Sequence, residues 1–253
     1  MNKPYRFDTP TRTDKENSYS SDMEKLMTEC EFSNVEKAEN FPLFTSRQQL
    51  AKYLARYEIF KMIENVHGSI VECGVLYGGG LMLMAQLSAI MEPVNTTRKI
   101  IGFDTFQGFT EELATADSES KSTEAKQGGF NIDSYATLTE AARLYDQNRP
   151  IGHSKKVELV RGDALKTIPA YVEKNKSLVV SCLVLDFDIA EPTLVALENF
   201  VPLMPKGGII IFDELGVQNW NETEAVKEYF FGIHQMRVKR FPFTSTTSYM
   251  VVE

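Results

Sequence analysis

Short apolar runs, spaced as strands that alternate with helices, constrain the fold of this 253-residue chain more than any other feature. Five runs are predicted as strands: SIVECG (69–74), KIIGFD (99–104), VELVRGD (157–163), LVVSCLVLDFD (178–188) and GGIIIFDE (207–214). LMLMAQLSAIM (81–91) and EPTLVALENFVPLM (191–204) are predicted as intervening helices. Strands that are apolar throughout are typical of a parallel sheet covered by helices on both faces. The pattern therefore predicts an α/β fold with a mostly parallel, doubly wound sheet.

The rest of the chain departs from this rhythm. RVKRFPF (237–243) and SYMVVE (248–253) predict an antiparallel C-terminal hairpin. Residues 1–43 are polar and are interpreted as an N-terminal arm or cap that precedes a domain over 44–253. Residues 107–150 are polar and loop-like, which predicts a lid or, alternatively, a disordered connection. A helix is expected from Thr45, with one apolar face formed by Leu50, Tyr53, Leu54, Tyr57 and Phe60.

Composition limits the classes of partner. The formal net charge of −8 argues against nucleic acid or an anionic membrane as the main partner. The N-terminus lacks an apolar signal region, and no apolar run reaches the ~18 residues of a membrane span. Cys73 and Cys182 lie in apolar runs and are interpreted as reduced core thiols. A cytoplasmic enzyme is the expectation.

A glycine motif follows the first predicted strand. Glu72-x-Gly74-x-x-x-Gly78 joins this strand to a helix and lacks the G-x-G-x-x-G of dinucleotide-binding loops. The wider spacing favours S-adenosylmethionine, which has no phosphate for the helix amides to bind. Asp104 ends the second strand, where a carboxylate accepts hydrogen bonds from ribose hydroxyls. Asp163 ends the third predicted strand, where its side chain is expected to meet the adenine.

Four further carboxylates end the fourth and fifth predicted strands: Asp186, Asp188, Asp213 and Glu214. Because ligands bind outside the carboxyl ends of parallel strands, these groups are expected to converge beside the cofactor. Crowded carboxylates cost energy unless a cation, a proton or a basic partner compensates, and oxygen ligands select hard cations such as Mg²⁺ or Ca²⁺. The alternative is that some of them cap helices; Asp188 stands just before the helix that opens with Glu191.

Six blocks, in order, resemble the macrocin O-methyltransferase family: FTSRQQLAKYLARYEIF, GSIVECGVLYGGG, IIGFDTFQGF, VELVRGDALKTIP, VLDFDIAEPTLVALENFVP and GGIIIFDE. The resemblance runs from about residue 44 to the C-terminus. It implies a Rossmann-like class I methyltransferase fold, S-adenosylmethionine and Mg²⁺ (or another hard divalent cation) as cofactors, and a homo-oligomer. The implied acceptor is a sugar hydroxyl of a glycosylated natural product or of a nucleotide sugar.

The resemblance also implies roles for individual residues. Asp186, Asp213 and Glu214 correspond to metal ligands, although the family more often has two aspartates at the last two positions. Asp188 corresponds to the general base that accepts the proton of the sugar hydroxyl.

Two other classes of function remain as alternatives: a nicotinamide-dependent oxidoreductase on a Rossmann core, and a non-catalytic binding protein that retains the methyltransferase fold. The missing G-x-G-x-x-G counts against the first, and the complete carboxylate set against the second. An iron-dependent hydroxylase needs histidine ligands. The fourth and fifth predicted strands do not end in His67, His153 or His234.

Overall fold

The computed structural model describes residues 13–108, 132–217 and 220–253. The strands are β1 (Ser69–Cys73), β2 (Ile100–Asp104), β3 (Val157–Arg161), β4 (Val180–Leu185), β5 (Ile209–Phe212), β6 (Lys239–Arg240) and β7 (Ser248–Val251). The helices are α1 (Asp14–Glu29), α2 (Asn34–Glu39), α3 (Arg47–Ile63), α4 (Gly79–Met91), α5 (Tyr135–Asn148), α6 (Ala164–Lys174), α7 (Ala190–Phe200) and α8 (Glu222–Tyr229).

The sheet has the strand order β3-β2-β1-β4-β5-β7-β6. The first five strands are parallel, whereas β7 is antiparallel to both β5 and β6. The order reverses between β1 and β4, and a crevice opens at such a point above the carboxyl ends of the strands. The predicted mostly parallel sheet with an antiparallel C-terminal hairpin is confirmed.

Alternate side chains of the central strands enter two separate apolar layers. Ile70 and its neighbours Ile100 and Cys182 join a layer that includes residues of α3, α4 and α5. Val71 and Leu183 point to the other face, against residues of α6, α7 and α8. Both faces are therefore covered, which explains why every residue of β1, β4 and β5 is buried and why most of them are apolar. Cys73 and Cys182 are buried free thiols, as predicted.

The expected apolar face of the helix near Thr45 is wrong in part. Residues Ala55, Ile59, Phe60 and Ile63 of α3 are buried, but Leu54 and Tyr57 are exposed. The predicted face followed the large side chains, but the face that packs against the sheet includes the small residue Ala55. The face that α3 turns toward the carboxyl ends of β1 and β5 instead carries two basic side chains, described below.

The loop-like interpretation of 107–150 is also wrong in its last part. Tyr135–Asn148 forms helix α5, and the Tyr145 hydroxyl donates a 2.6 Å hydrogen bond to the carbonyl of Ala85 in α4. Gly128 and Gly129, together with the rest of 109–131, lie outside the described residues. The lid therefore stays a prediction for that central segment.

The chain divides into two compact units, one ending at Leu50 and the other running from Ala51 to Glu253. In the first unit, the described residues include α1 and α2, and Ser33 and Glu36 form a reciprocal cap at the start of α2. The arm predicted over 1–43 therefore contains helical structure. Within the described residues, no helix is both long and apolar enough to cross a membrane.

Candidate active site

The loop between β1 and α4 depends on two glycines with positive φ. Gly74 (φ 89°) lies so close to β4 that a Cβ atom there would stand 1.9 Å from the carbonyl oxygen of Asp186. Gly78 (φ 81°) begins α4, and its Cβ would stand 2.0 Å from a methyl carbon of Leu138. Both positions require glycine. The glycine motif thus brings the loops after β1 and β4 together and leaves the start of α4 without a side chain.

Asp104 holds this loop. Its Oδ2 accepts hydrogen bonds from the amides of Val75 and Leu76 at 2.8 and 2.9 Å, and its Oδ1 accepts one from Phe106 at 2.7 Å. A carboxylate oxygen has two lone-pair positions, so Oδ2 is filled and Oδ1 can accept one more donor. Asp104 therefore organises the backbone of the site, and its ribose contact stays a prediction, for which one lone-pair position of Oδ1 is open.

Glu72 lies beneath the loop rather than in it. Its side chain is 3% exposed, and its Oε2 is 3.5 Å from Nη1 of Arg56 in α3. Burial raises the pKa of Glu72, and the charge of Arg56 opposes that shift. A Cβ on Gly80 would stand 2.6 Å from Oε1 of Glu72, so the first turn of α4 packs directly on this carboxylate. The structure thus gives Glu72 a buried ionic partner, and its predicted cofactor contact stays a prediction.

Asp163 caps a helix. Its Oδ1 accepts a 3.0 Å hydrogen bond from the amide of Leu165 at the start of α6, and Nζ of Lys166 is 3.4 Å from its Oδ2. The cap explains why an aspartate follows Gly162 at the end of β3. The adenine contact predicted for Asp163 stays a prediction beside this structural role.

The carboxylates that follow β4 and β5 influence one another, as expected from their places in the sequence. Burial raises the pKa of Asp186 well above its ordinary value, and the charges of Asp213 and Asp188 raise it further. Burial and the charge of Asp213 raise the pKa of Glu214 to about 7. The cluster therefore carries more negative charge than its surroundings stabilise.

Lys52 of α3 supplies part of the missing positive charge. Its Nζ is 3.0 Å from Oδ2 of Asp213, whose Oδ1 accepts a 3.3 Å hydrogen bond from Thr247. Desolvation lowers the pKa of Lys52, but the charges of Asp213 and Asp186 outweigh it, so the pKa is raised. The Lys52 side chain is 45% exposed, whereas that of Asp213 is 9% exposed.

Asp188 departs from the strand geometry that the sequence suggested. Strand β4 ends at Leu185, and Asp188 adopts a left-handed backbone with φ of 66°. Leu76 and Phe106, after β1 and β2, also have positive φ. Such backbone in residues other than glycine concentrates at functional sites. Ile189, not Asp188, occupies the N-cap of α7.

Three functional candidates escaped the sequence analysis: Lys52, Arg56 and Glu222. Lys52 and Arg56 are four residues apart on α3, a spacing that puts both on one helical face. This spacing could have indicated a basic face on α3. The prediction of an apolar face from the neighbouring residues made the basic pair hard to recognise. Glu222, the first residue of α8, is fully buried, and burial and the charges of Asp213, Asp188 and Glu214 raise its pKa well above its ordinary value. Nothing in the surrounding sequence marks it.

The predicted metal ligands are not arranged as a ready-made metal centre. Asp186, Asp213 and Glu214 belong to one electrostatic cluster. Within the described ranges, however, no three histidine, cysteine, aspartate or glutamate side chains form a group that could hold a metal ion as they stand. The ammonium group of Lys52 lies against one of the three instead.

Comparison with known proteins places this geometry in context. The model of the macrocin O-methyltransferase (TylF) family matches residues 36–237, which starts slightly before the block similarity seen in the sequence. A search of curated proteins found no match.

Solved structures resemble the chain along its whole length. The crystal structure of CalS11, a calicheamicin methyltransferase, has a TM-score of 0.89 and 29% identity, and covers 99% of both chains. The apo structure of CalS11, described as a TDP-rhamnose 3'-O-methyltransferase, has a TM-score of 0.80 at 29% identity, with 98% of this chain and 97% of that chain covered. The O-methyltransferase NovP shares the fold, with a TM-score of 0.60 and 20% identity over 80% of each chain.

Proposed function

The chain belongs to the macrocin O-methyltransferase family, and from that membership we propose that it transfers a methyl group from S-adenosylmethionine to a sugar hydroxyl. The observation that carries the choice of acceptor is the similarity to CalS11, which extends over nearly all of both chains. We therefore expect a nucleotide-linked deoxysugar as the acceptor, with a sugar already attached to an aglycone as the second candidate. The family match favours methyl transfer over the nicotinamide-dependent alternative.

The loop that Asp104 holds is the proposed cofactor site. S-adenosylmethionine supplies an electrophilic methyl group when bound. The uncapped amides at the start of α4, together with the free lone pair of Asp104, offer polar partners to its amino-acid and ribose portions. Glu72 and Arg56 fix the first turn of α4 from below, which keeps those amides in place.

Asp188 is the proposed general base. It follows the central strand β4 at the point where the sheet order reverses, and its charge raises the pKa of Asp186. Its left-handed backbone turns the chain out of the strand before α7 begins. A sugar hydroxyl is a weak nucleophile at neutral pH, so a carboxylate that accepts its proton is useful.

A divalent cation is part of the proposal because the donor chemistry fits one. Asp186, Asp213 and Glu214 supply only oxygen atoms, and burial, together with the negative charge of neighbouring carboxylates, raises the pKa values of Asp186 and Glu214. These three residues are the proposed ligands, and the Lys52 ammonium would have to leave Asp213. A bound cation would supply Lewis acidity that lowers the pKa of the acceptor hydroxyl.

The test is a screen of acceptors with methyl-labelled S-adenosylmethionine, read by mass. The purified chain is incubated with nucleotide-linked deoxysugars and with glycosylated aglycones, with Mg²⁺ present or removed by a chelator. Asp186→Asn is the inactive comparison, and Glu191→Gln, an exposed residue at the start of α7, is the matched control. Methylation of a sugar by the wild type and the control, but not by Asp186→Asn, supports the proposal. Absence of any methylated sugar across the panel contradicts the acceptor class, and full activity in chelator contradicts the cation.

A further inference from the structure

Glu222 is a buried acid that no described basic side chain neutralises. Its side chain is 0% exposed, and neither carboxylate oxygen has a hydrogen bond of good geometry among the described residues; the backbone of Glu214 is the one hydrogen-bonding group found beside it. Buried polar groups are nearly always hydrogen-bonded, and a buried carboxylate is costly unless it is paired or binds a cation. A carboxyl buried in this way either keeps its proton or needs a positive group that the described residues do not supply.

The backbone around Glu222 joins the two loops that carry the acidic cluster. The amide of Asn221 donates a 3.2 Å hydrogen bond to the carbonyl of Asp188, after β4. The hydroxyl of Thr223 accepts a 2.8 Å hydrogen bond from the amide of Gly216, after β5. Glu222 stands between these two hydrogen bonds, one between backbone groups and one to the Thr223 side chain, so the start of α8 is tied to the loops after both strands.

Electrostatics place the carboxylate of Glu222 with the same cluster. Burial raises the pKa of Glu222 most, the charges of Asp213, Asp188 and Glu214 raise it further, and a backbone hydrogen bond from Glu214 opposes the shift. An acidic residue in the first turn of a helix usually lies at the surface, where its charge interacts favourably with the helix dipole. In α8 that place is taken by Glu224, which is exposed. Helix stabilisation therefore leaves the burial of Glu222 unexplained.

We propose that Glu222 supplies a carboxylate oxygen to the divalent cation of this site, beside Asp186, Asp213 and Glu214. The inference rests on the cation in the proposed function. In this proposal, helix α8 contributes a ligand to the cation site together with the loops that follow β4 and β5. Four carboxylates offer only oxygen donors, which favour a hard divalent cation. That cation would supply the positive charge that the buried oxygens of Glu222 lack.

Binding of Mn²⁺ to the purified, metal-stripped chain tests this without any acceptor. The Kd is measured by electron paramagnetic resonance and calorimetry for the wild type, Glu222→Gln and the matched control Glu224→Gln. We expect Glu222→Gln to weaken Mn²⁺ binding at least tenfold, and Glu224→Gln to bind like the wild type. Circular dichroism checks the fold, and Glu222→Asp, which keeps the charge on a shorter arm, replaces the glutamine variant if that variant does not fold.

The outcomes separate this inference from the function on which it rests. Equal Mn²⁺ affinity in the wild type and the Glu222 variant overturns the role of Glu222 while leaving a cation site intact. A wild type that methylates sugars without binding Mn²⁺ overturns the role of Glu222 and the cation together, but not the methyl transfer. Binding that depends on Glu222 in a chain that methylates no sugar supports the site and overturns the proposed acceptor.

Discussion

Replacement of Asp104 separates two roles for the acid at the end of β2. In the structure it accepts three backbone hydrogen bonds, two at Oδ2 from Val75 and Leu76 and one at Oδ1 from Phe106. A hydrogen bond to a charged group contributes about 1.5–3 kcal/mol. Asp104→Asn can turn its single amide oxygen toward the pair of donors, so it loses at least one bond. Asp104→Ala loses all three, or up to about 4.5–9 kcal/mol before water compensates.

These losses should appear first in the loop and then in cofactor binding. A loss of about 1.5–3 kcal/mol corresponds to a roughly 10- to 150-fold weaker affinity for S-adenosylhomocysteine in Asp104→Asn, since about 1.4 kcal/mol is tenfold. Calorimetry measures this affinity, and the alanine variant should bind more weakly still. Hydrogen exchange of the ligand-free protein should show faster exchange at the amides of Val75, Leu76 and Phe106. Asp22→Asn, at an exposed position in α1, is the control.

The hydrogen-exchange result distinguishes the two roles. If Asp104 acts only on the ribose, the free variants exchange like the wild type while their ligand affinity falls. That result would refute the inference that Asp104 organises the loop. Unchanged affinity together with unchanged exchange would contradict both roles.

Three further predictions concern the base, the nearby ammonium and a buried lysine. Asp188→Asn should lower kcat by roughly 10²–10⁴-fold, since it removes the proton acceptor, and should leave cofactor binding nearly intact; wild-type turnover of a confirmed sugar would exclude Asp188 as the base. Lys52→Met should tighten Mn²⁺ binding by about tenfold, because it removes a competing ammonium 3.0 Å from Asp213. A higher Kd in this variant would mean that Lys52 supports the site instead. Burial lowers the pKa of Lys156 from 10.5 to about 8 in the folded protein. Between these two pH values the unfolded chain binds more protons than the folded chain. The free energy of unfolding should therefore rise with pH over this window, by up to about 3 kcal/mol. Urea unfolding at pH 7.5 and 9.5 should show this gain in the wild type relative to Lys156→Met, and equal pH dependence in both proteins would contradict it.

Much of the fold follows from local features of the sequence. Whether a short segment becomes a buried strand depends largely on its own side chains, and the runs around Ile70 and Ile210 are rich in β-branched apolar residues. The glycine motif likewise shows where the chain turns sharply, because only glycine tolerates the backbone that Gly74 and Gly78 adopt. Helix α5 does not stand out in the sequence because its apolar positions follow a long polar stretch, and its burial against α4 and the sheet depends on the fold.

The partners inside the site were decided by tertiary structure. Lys52 and Asp213 are 161 residues apart in sequence, and they meet because α3 packs on the sheet beside the end of β5. The sequence places four carboxylates at strand ends, but whether Asp104 faces a ligand or backbone amides depends on how the loop after β1 folds back over β2. Glu222 looks in the sequence like any acid that begins a helix, and only the packing of α8 against the loops after β4 and β5 buries it. Strand and turn preferences are local energies, whereas burial and charge pairing depend on groups that the fold brings together from distant parts of the chain.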